Sequence, residues 1–345
     1  MNFASDNTGP AHPRVMEAVV AANDGSAMPY GKDPWADRAV QAVRDVFNAP
    51  EAAVYLVPTG TAANAALLAT LTPVWGTIFC HEDAHIAVDE CNAPEFYTGG
   101  AKLTPVAGAH GKMTPGSLAT AIARAVPGDV HSAQRGPISV TNVTEAGTVY
   151  SLDELAALTT GHGLPAHLDG ARFANACAAL DCSAADMAQG FDAISFGGTK
   201  NGCLGVEAAV ILDPARAWEF ELRRKRAGHL FSKHRYLSAQ MAAYLKDDLW
   251  LTMARAANAA CARLAAGLRA HPDVVFRHDP QANMIFAAWP RALHQALKSA
   301  GAEYYVMDGD WQTGPADEIL TCRLVCDWSK SEAEVDRFLA IIRAG

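Results

Sequence analysis

The sequence predicts an α/β fold. A mainly parallel sheet with helices on both faces forms a large domain, and a smaller α+β domain follows it. Three observations predict this. From residue 39 to about residue 215, short apolar runs alternate with helix-length amphipathic stretches, the pattern of strands joined by crossover helices. Beyond Ala215 the texture changes to near-continuous helical spacing and then to short strands flanked by two helices. The chain has 345 residues and is 50% hydrophobic, enough for one large core and a smaller one. The expected divisions are an arm over 1–38, a large domain over 39–240 and a small C-terminal domain over 241–345, with the boundary near 238–250.

In order, residues 1–38 are rich in turn signals: Gly9-Pro10, His12-Pro13, Met28-Pro29-Tyr30-Gly31 and Asp33-Pro34. This reads as a polar arm that crosses to a neighbour or lines a site. Tyr30 and Trp35 in it need something to pack on. A helix is expected over Ala39–Phe47, then a strand over Ala52–Val57. The turn Pro58-Thr59-Gly60-Thr61 follows, then an Ala/Leu-rich helix to about Leu71. Further strands are expected at Thr77–Cys80, Lys102–Val106, Pro137–Asn142, Ala166–Asp169 and Ala193–Phe196, and a loop after Gly202 returns into Glu207-Ala-Ala-Val-Ile-Leu212. Helices are expected at Thr114–Ala125, Ser151–Thr160 and Arg172–Leu180, the second opening on the capping box Ser151-Leu-Asp-Glu154. Residues 215–270 read as helical. The last segment gives strands at Val274–Phe276, Asn283–Ala287, Tyr304–Met307 and Ile319–Cys326, with helices at Arg291–Ser299 and Ser331–Arg343.

The formal net charge of −9, with both signs scattered, argues against nucleic acid and anionic membranes as partners. No signal peptide and no membrane span is expected. None of the eight cysteines forms Cys-x-x-Cys, and most lie in apolar segments, which fits a reduced, cytoplasmic compartment.

Chemistry concentrates in a few stretches. In Ser195-Phe-Gly-Gly-Thr-Lys200-Asn-Gly202, one lysine stands among small residues that allow close backbone approach. A crowded or desolvated amine becomes a nucleophile and forms a Schiff base with an aldehyde. Lys200 is therefore read as a carrier of pyridoxal 5′-phosphate (PLP). A surface lysine in a Gly-rich turn is the other reading. Thr59, Gly60 and Thr61 lie between a strand and a helix N-terminus, where free N–H groups make an anion seat or a plain helix cap. Asp169 ends the strand His167-Leu-Asp169, where ligands of such sheets bind. It either protonates a pyridine nitrogen or pairs with Arg172.

His81-Glu82-Asp-Ala-His85 matches the zinc-hydrolase pattern His-Glu-x-x-His. It follows a strand directly, so a zinc site is a less favoured reading than His85 lying flat on an aromatic cofactor. Arg235, in a basic cluster, reaches a phosphate or lies on a solvated face. Arg323 is a charge inside an apolar strand and needs a partner, either a substrate carboxylate or a structural acid.

The order of these pieces resembles the threonine aldolase / β-eliminating lyase family of fold-type-I PLP enzymes, from Ser5-Asp6-Asn7 to Arg323. The most specific matches are Tyr30-Gly31-Lys-Asp33-Pro34, Pro58-Thr-Gly-Thr61, His85-Ile-x-x-Asp-Glu90 and His167-Leu-Asp-Gly-Ala-Arg172. The resemblance implies an aspartate aminotransferase-like large domain. It implies PLP on Lys200, Asp169 at the pyridine nitrogen and His85 stacked on the ring. Thr59, Gly60 and Thr61 would seat the phosphate, with Arg235 supplied by a neighbouring subunit. Ser5, Arg172 and Arg323 would hold the amino-acid carboxylate, with Tyr30 on the substrate side.

The implied reaction is retro-aldol cleavage of an L-β-hydroxy-α-amino acid (threonine, allo-threonine or phenylserine) to glycine and an aldehyde. His85, or a water it holds, would be the base. PLP-dependent β-elimination is the alternative. The implied assembly is a homotetramer, a dimer of dimers. Where many members carry Asn-Thr-His, this chain has Asn142-Val-Thr144-Glu145, so Glu145 or Thr144 takes that place near the substrate hydroxyl.

Overall fold

A computed structural model describes residues 1–344. The large sheet has seven strands: β1 (Ala53–Val57), β2 (Gly76–His81), β3 (Lys102–Val106), β4 (Gln134–Thr141), β5 (Ala166–Gly170), β6 (Ala193–Gly197) and β7 (Glu207–Ile211). Their order is β1-β7-β6-β5-β4-β2-β3. β2 through β6 run parallel, and β7 is antiparallel to both its neighbours, β6 and β1. β5 and β6 are buried along their whole length, as expected of strands covered on both faces. A second sheet, β8 (Val275–Phe276), β9 (Met284–Pro290), β10 (Tyr305–Val306) and β11 (Ile319–Val325), is antiparallel in the order β10-β11-β9-β8.

Helix α1 (Pro13–Ala21) corrects the turn-rich reading of the arm. Pro13 occupies N1, where its missing N–H costs nothing, and the His12 ring accepts from the Arg14 N–H at 3.2 Å. Helix α2 (Pro34–Val46) begins earlier than expected for the same reason. Asp33 caps it by accepting from Trp35 and Ala36. Two of the four Pro-containing segments read as turns, His12-Pro13 and Asp33-Pro34, are helix starts. Helix α3 (Gly60–Leu71) is buried at every residue from Ala62 to Leu71, as suits a helix apolar on all sides.

Two cores share one helix. Leu249–Arg269 contributes Trp250, Met253 and Ala254 to the core under the large sheet. Further along it contributes Cys261, Leu264 and Leu268 to the core of the small sheet. The first residues of the chain also belong to the second core. The Phe3 N–H donates to the Glu303 carbonyl at 2.7 Å, and the Val325 N–H donates to the Phe3 carbonyl at 2.8 Å. The Phe3 ring is fully buried edge-on to Phe338. Phe3→Ala is expected to lower unfolding free energy by about 3–5 kcal/mol, read by chemical denaturation. A loss under about 1 kcal/mol would show that this segment does not hold the small core.

Candidate active site

At the C-terminal ends of β1, β5 and β6, a cavity of about 270 Å³ is lined by Asn7, Pro58, Thr59, Gly60, Thr61, Asn64, His85, Glu90, Asp169, Ala171, Thr199, Lys200 and Glu207. Six predicted residues from four separate stretches thus share one wall: Thr59, Gly60, Thr61, His85, Asp169 and Lys200. The local folding explains each. β1 ends at Val57, and Thr59 caps α3 by accepting from the Ala62 N–H at 3.2 Å. The first N–H groups of the helix, on Gly60 and Thr61, have no carbonyl one turn back to bond. A Cβ built on Gly60 meets no atom within 4 Å, so this N-terminus faces open space. β6 ends at Gly197, and a single 3-10 turn over Thr199–Asn201 carries Lys200. Lys200 makes no ion pair among the described residues.

Asp169 and Lys200 are spaced by backbone contact. A Cβ on Gly170 would lie 2.5 Å from the Ser195 carbonyl oxygen, and one on Gly197 would lie 2.6 Å from that of Ala171. Only glycine lets the ends of β5 and β6 approach this closely.

The floor is a buried polar network. The Asn64 amide donates to Asp169 Oδ2 at 3.1 Å and to Glu90 Oε1 at 2.9 Å. The same Glu90 oxygen meets His85 Nδ1 at 2.8 Å. The Ala171 N–H donates to Asp169 Oδ1 at 3.1 Å. Glu90 Oε2 and Asn64 Oδ1 are buried without a partner. The bond to Glu90 raises the His85 imidazole above the usual histidine range, against the effect of burial. Burial, followed by the nearby Glu90 charge, raises the Asp169 carboxyl.

These features fit PLP. There is an N–H seat for a phosphate, a half-buried amine for an aldehyde and a buried carboxylate for a protonated ring nitrogen. The imidazole is already oriented through its other nitrogen.

Beside the cavity, the N-terminal segment ties down two arginines. Arg172 Nε and Nη2 donate to the two Asp6 oxygens at 2.7 and 3.1 Å, both side chains being buried. Burial would raise the Asp6 carboxyl, but Arg172 and Lys200 outweigh it and hold it below its ordinary value. Asn283 also donates to Asp6 at 3.1 Å. Arg323 donates to the Ala4 carbonyl at 3.1 Å, lies over the Tyr305 ring and keeps its buried Nε unpartnered. Ser5, between them, accepts from the Asn7 N–H at 3.2 Å.

Glu145 is half-buried, and its charge acts on His85, Asp169 and Arg172. The Thr144 hydroxyl is used within its own loop, 2.7 Å from that of Thr148. Ser5, Glu145, Arg172 and Arg323 do not line the cavity, and two further predicted residues are engaged elsewhere in this chain. Arg235 donates to the Gly25 carbonyl at 2.9 Å, and Tyr30 is exposed beneath Lys225.

The geometry also speaks against the zinc reading, already the less favoured one. His81 ends β2, while His85 opens a separate short helix, so the motif does not present one helical face. The His81 ring nitrogens are both used, at 2.9 Å from the Gly108 carbonyl and 3.0 Å from the Asp83 N–H. Among the described residues no group of three or more His, Cys, Asp or Glu side chains is placed to hold a metal.

Sequence reasoning missed Asn64, Asn7 and Glu207, and gave no role to Glu90. Asn64 stands on an otherwise Ala/Leu-rich buried helix, and Glu207 opens an apolar strand. Each is a polar residue where only apolar ones are expected, and that mismatch was the available signal.

Residues 2–290 match the family model described as beta-eliminating lyase. The chain is 37% identical over 348 residues to a low specificity L-threonine aldolase of Pseudomonas sp. strain NCIMB 10558, covering 99% of this chain and 97% of that protein. It is 38% identical over 347 residues to the low specificity L-threonine aldolase of Pseudomonas aeruginosa, covering 99% and 96%. The structure of Leishmania major threonine aldolase superposes with a TM-score of 0.92 at 25% identity, covering 99% of this chain and 98% of that one.

Glu90→Gln removes the charge that holds the His85 proton, so the imidazole should titrate at lower pH, as followed by NMR of the ring. The His85–Glu90 pair stabilises the fold fully below the ordinary histidine range, and this is lost as pH rises through the raised value. An unmoved His85 titration in Glu90→Gln would refute the assignment.

Proposed function

The chain belongs to the beta-eliminating lyase family and is a PLP-dependent lyase, and on that premise we propose that it cleaves L-β-hydroxy-α-amino acids by a retro-aldol reaction. The products are glycine and an aldehyde. One observation carries the reading: Lys200, Asp169, His85 and the Gly60–Thr61 helix start line a single cavity. When bound, PLP supplies a conjugated electron sink for the pair left at the α-carbon.

The residues divide the remaining work. Lys200 holds the cofactor through its amine. The Gly60 and Thr61 N–H groups, with the Thr59 cap, seat the phosphate. Asp169, anchored by Asn64 and the Ala171 N–H, keeps a proton on the ring nitrogen. Arg172, fixed by Asp6, and Arg323, fixed on Ala4, hold the substrate carboxylate beside Ser5. His85, oriented by Glu90, is the base at the β-hydroxyl, directly or through a water. Glu145 meets the hydroxyl side of the substrate, and it sets the choice among threonine, allo-threonine and phenylserine.

Arg235 and Tyr30 serve the cavity of a neighbouring subunit in a homotetramer. Neither residue lines the cavity of its own chain, and Tyr30 is exposed, which supports this reading; light scattering tests the assembly. A cytoplasmic location accords with eight free cysteines. No helix among the described residues is long and apolar enough to cross a membrane.

Incubation of the purified protein with L-threonine and with L-phenylserine should yield glycine and the matching aldehyde. A keto acid and ammonia in their place would instead assign β-elimination. Lys200→Ala should lose the near-visible absorbance of the PLP-loaded protein together with cleavage. His85→Gln should keep the colour and lose about 10²–10⁴ in kcat.

A further inference from the structure

Glu207 is a charge where the fold has no structural need of one. It opens β7, a strand whose five residues are all buried. In register it faces Gly197 of β6 on one side and Val57 of β1 on the other. This places it between the turn that carries Lys200 and the Pro58–Thr61 seat, and its side chain lines the same cavity as both. One carboxylate oxygen accepts from the Gly198 N–H at 2.9 Å. That donor is satisfied equally by a neutral amide. A buried carboxylate costs several kcal/mol more than an amide unless a positive charge faces it. Among the residues that line the cavity with it, Lys200 is the only lysine or arginine.

We propose that Glu207 is the positioning residue of Lys200: its carboxylate draws the lysine ammonium towards it across the shared cavity and takes its proton when the free amine is needed. In that transfer an N–H bond of Nζ breaks and an O–H bond on the carboxylate forms. Ammonium and carboxylate become amine and carboxylic acid, with no change in total charge. The inference rests on Lys200 being the cofactor lysine.

The surroundings suit such an exchange. Burial pushes the Glu207 carboxyl up to about 7, so both of its forms are accessible near neutrality. The other titratable groups facing it are Asp169 on β5, Cys203 behind the turn and Tyr244 from the helix Arg235–Leu245. Burial keeps the Cys203 thiol and the Tyr244 phenol protonated well past that range. On its far side Lys200 faces Asp6, whose charge is already committed to Arg172.

The test reads the amine directly, without cofactor or turnover. Cofactor-free protein is pulse-acetylated between about pH 6 and about pH 9, and modification of Lys200 is quantified by mass spectrometry. A free amine reacts about tenfold faster per pH unit until it is fully deprotonated. In the wild type, ionisation of Glu207 retains the ammonium, so the logarithmic profile should bend to a shallower slope near about pH 7. Glu207→Gln can keep the Gly198 bond but should give an unbent profile, about tenfold more reactive at one unit above the bend when normalised at pH ~6. Glu207→Asp, which keeps the charge, should retain a bend, and it decides the matter if the Gln variant does not fold. Identical profiles in wild type and Glu207→Gln would overturn the proposal. Borohydride reduction of the PLP-loaded wild type that leaves Lys200 unlabelled would overturn the Lys200 assignment instead, whatever the acetylation shows.

Discussion

One side-chain amide organises the floor of the cavity. Asn64 stands between two buried carboxylates, Asp169 and Glu90, and donates to both. Two carboxylates this close disfavour each other's ionised form, which is part of why the Asp169 carboxyl is raised. The amide spreads one positive dipole over the pair, while His85 meets the Glu90 oxygen that Asn64 also holds. The acid that would face the pyridine nitrogen and the base that would face the hydroxyl are therefore joined through a single residue of α3. That helix is buried on every side, so Asn64 has no solvent to fall back on.

The second constraint comes from the start of the chain. Ala4, Asp6 and Phe3 lie within four residues, yet they bind Arg323, Arg172 and the small-domain core respectively. Asn283 adds a bond from the small domain to the same Asp6 oxygen that Arg172 Nε uses. The arginines assigned to the substrate carboxylate are thus fixed by a strap that is itself packed into the small domain. The helix Leu249–Arg269, which enters both cores, makes a second mechanical link between the two sheets.

How much of this could be read in the sequence follows from the range of each interaction. Strands and helices of the sheet were legible because apolar periodicity is local, as in β3 and α3, whose limits fall where the pattern puts them. That the Pro58–Thr61 turn and Lys200 would meet in one cavity was legible because glycine marks close backbone approach. Helix α1 was not, because His12-Pro13 carries the same signal whether it turns the chain or caps a helix. The Asn64 bridge was hidden because its partners lie on another element and at the end of a distant strand. The Asp6 tie on Arg172 was hidden likewise, since no spacing rule relates residue 6 to residue 172. The zinc motif was legible and misleading: the letters matched, but the break between β2 and the next helix divides them.

The wedge between Gly170 and Gly197 sets the relation of amine to acid by main chain against main chain, not by the fit of core side chains. That arrangement separates two kinds of variation. Residues outside this contact, such as the half-buried Glu145, can change without moving the ends of the two strands. The converse also holds: a single added methyl at either glycine would force the two strand ends apart, and no change at the rim could compensate for it.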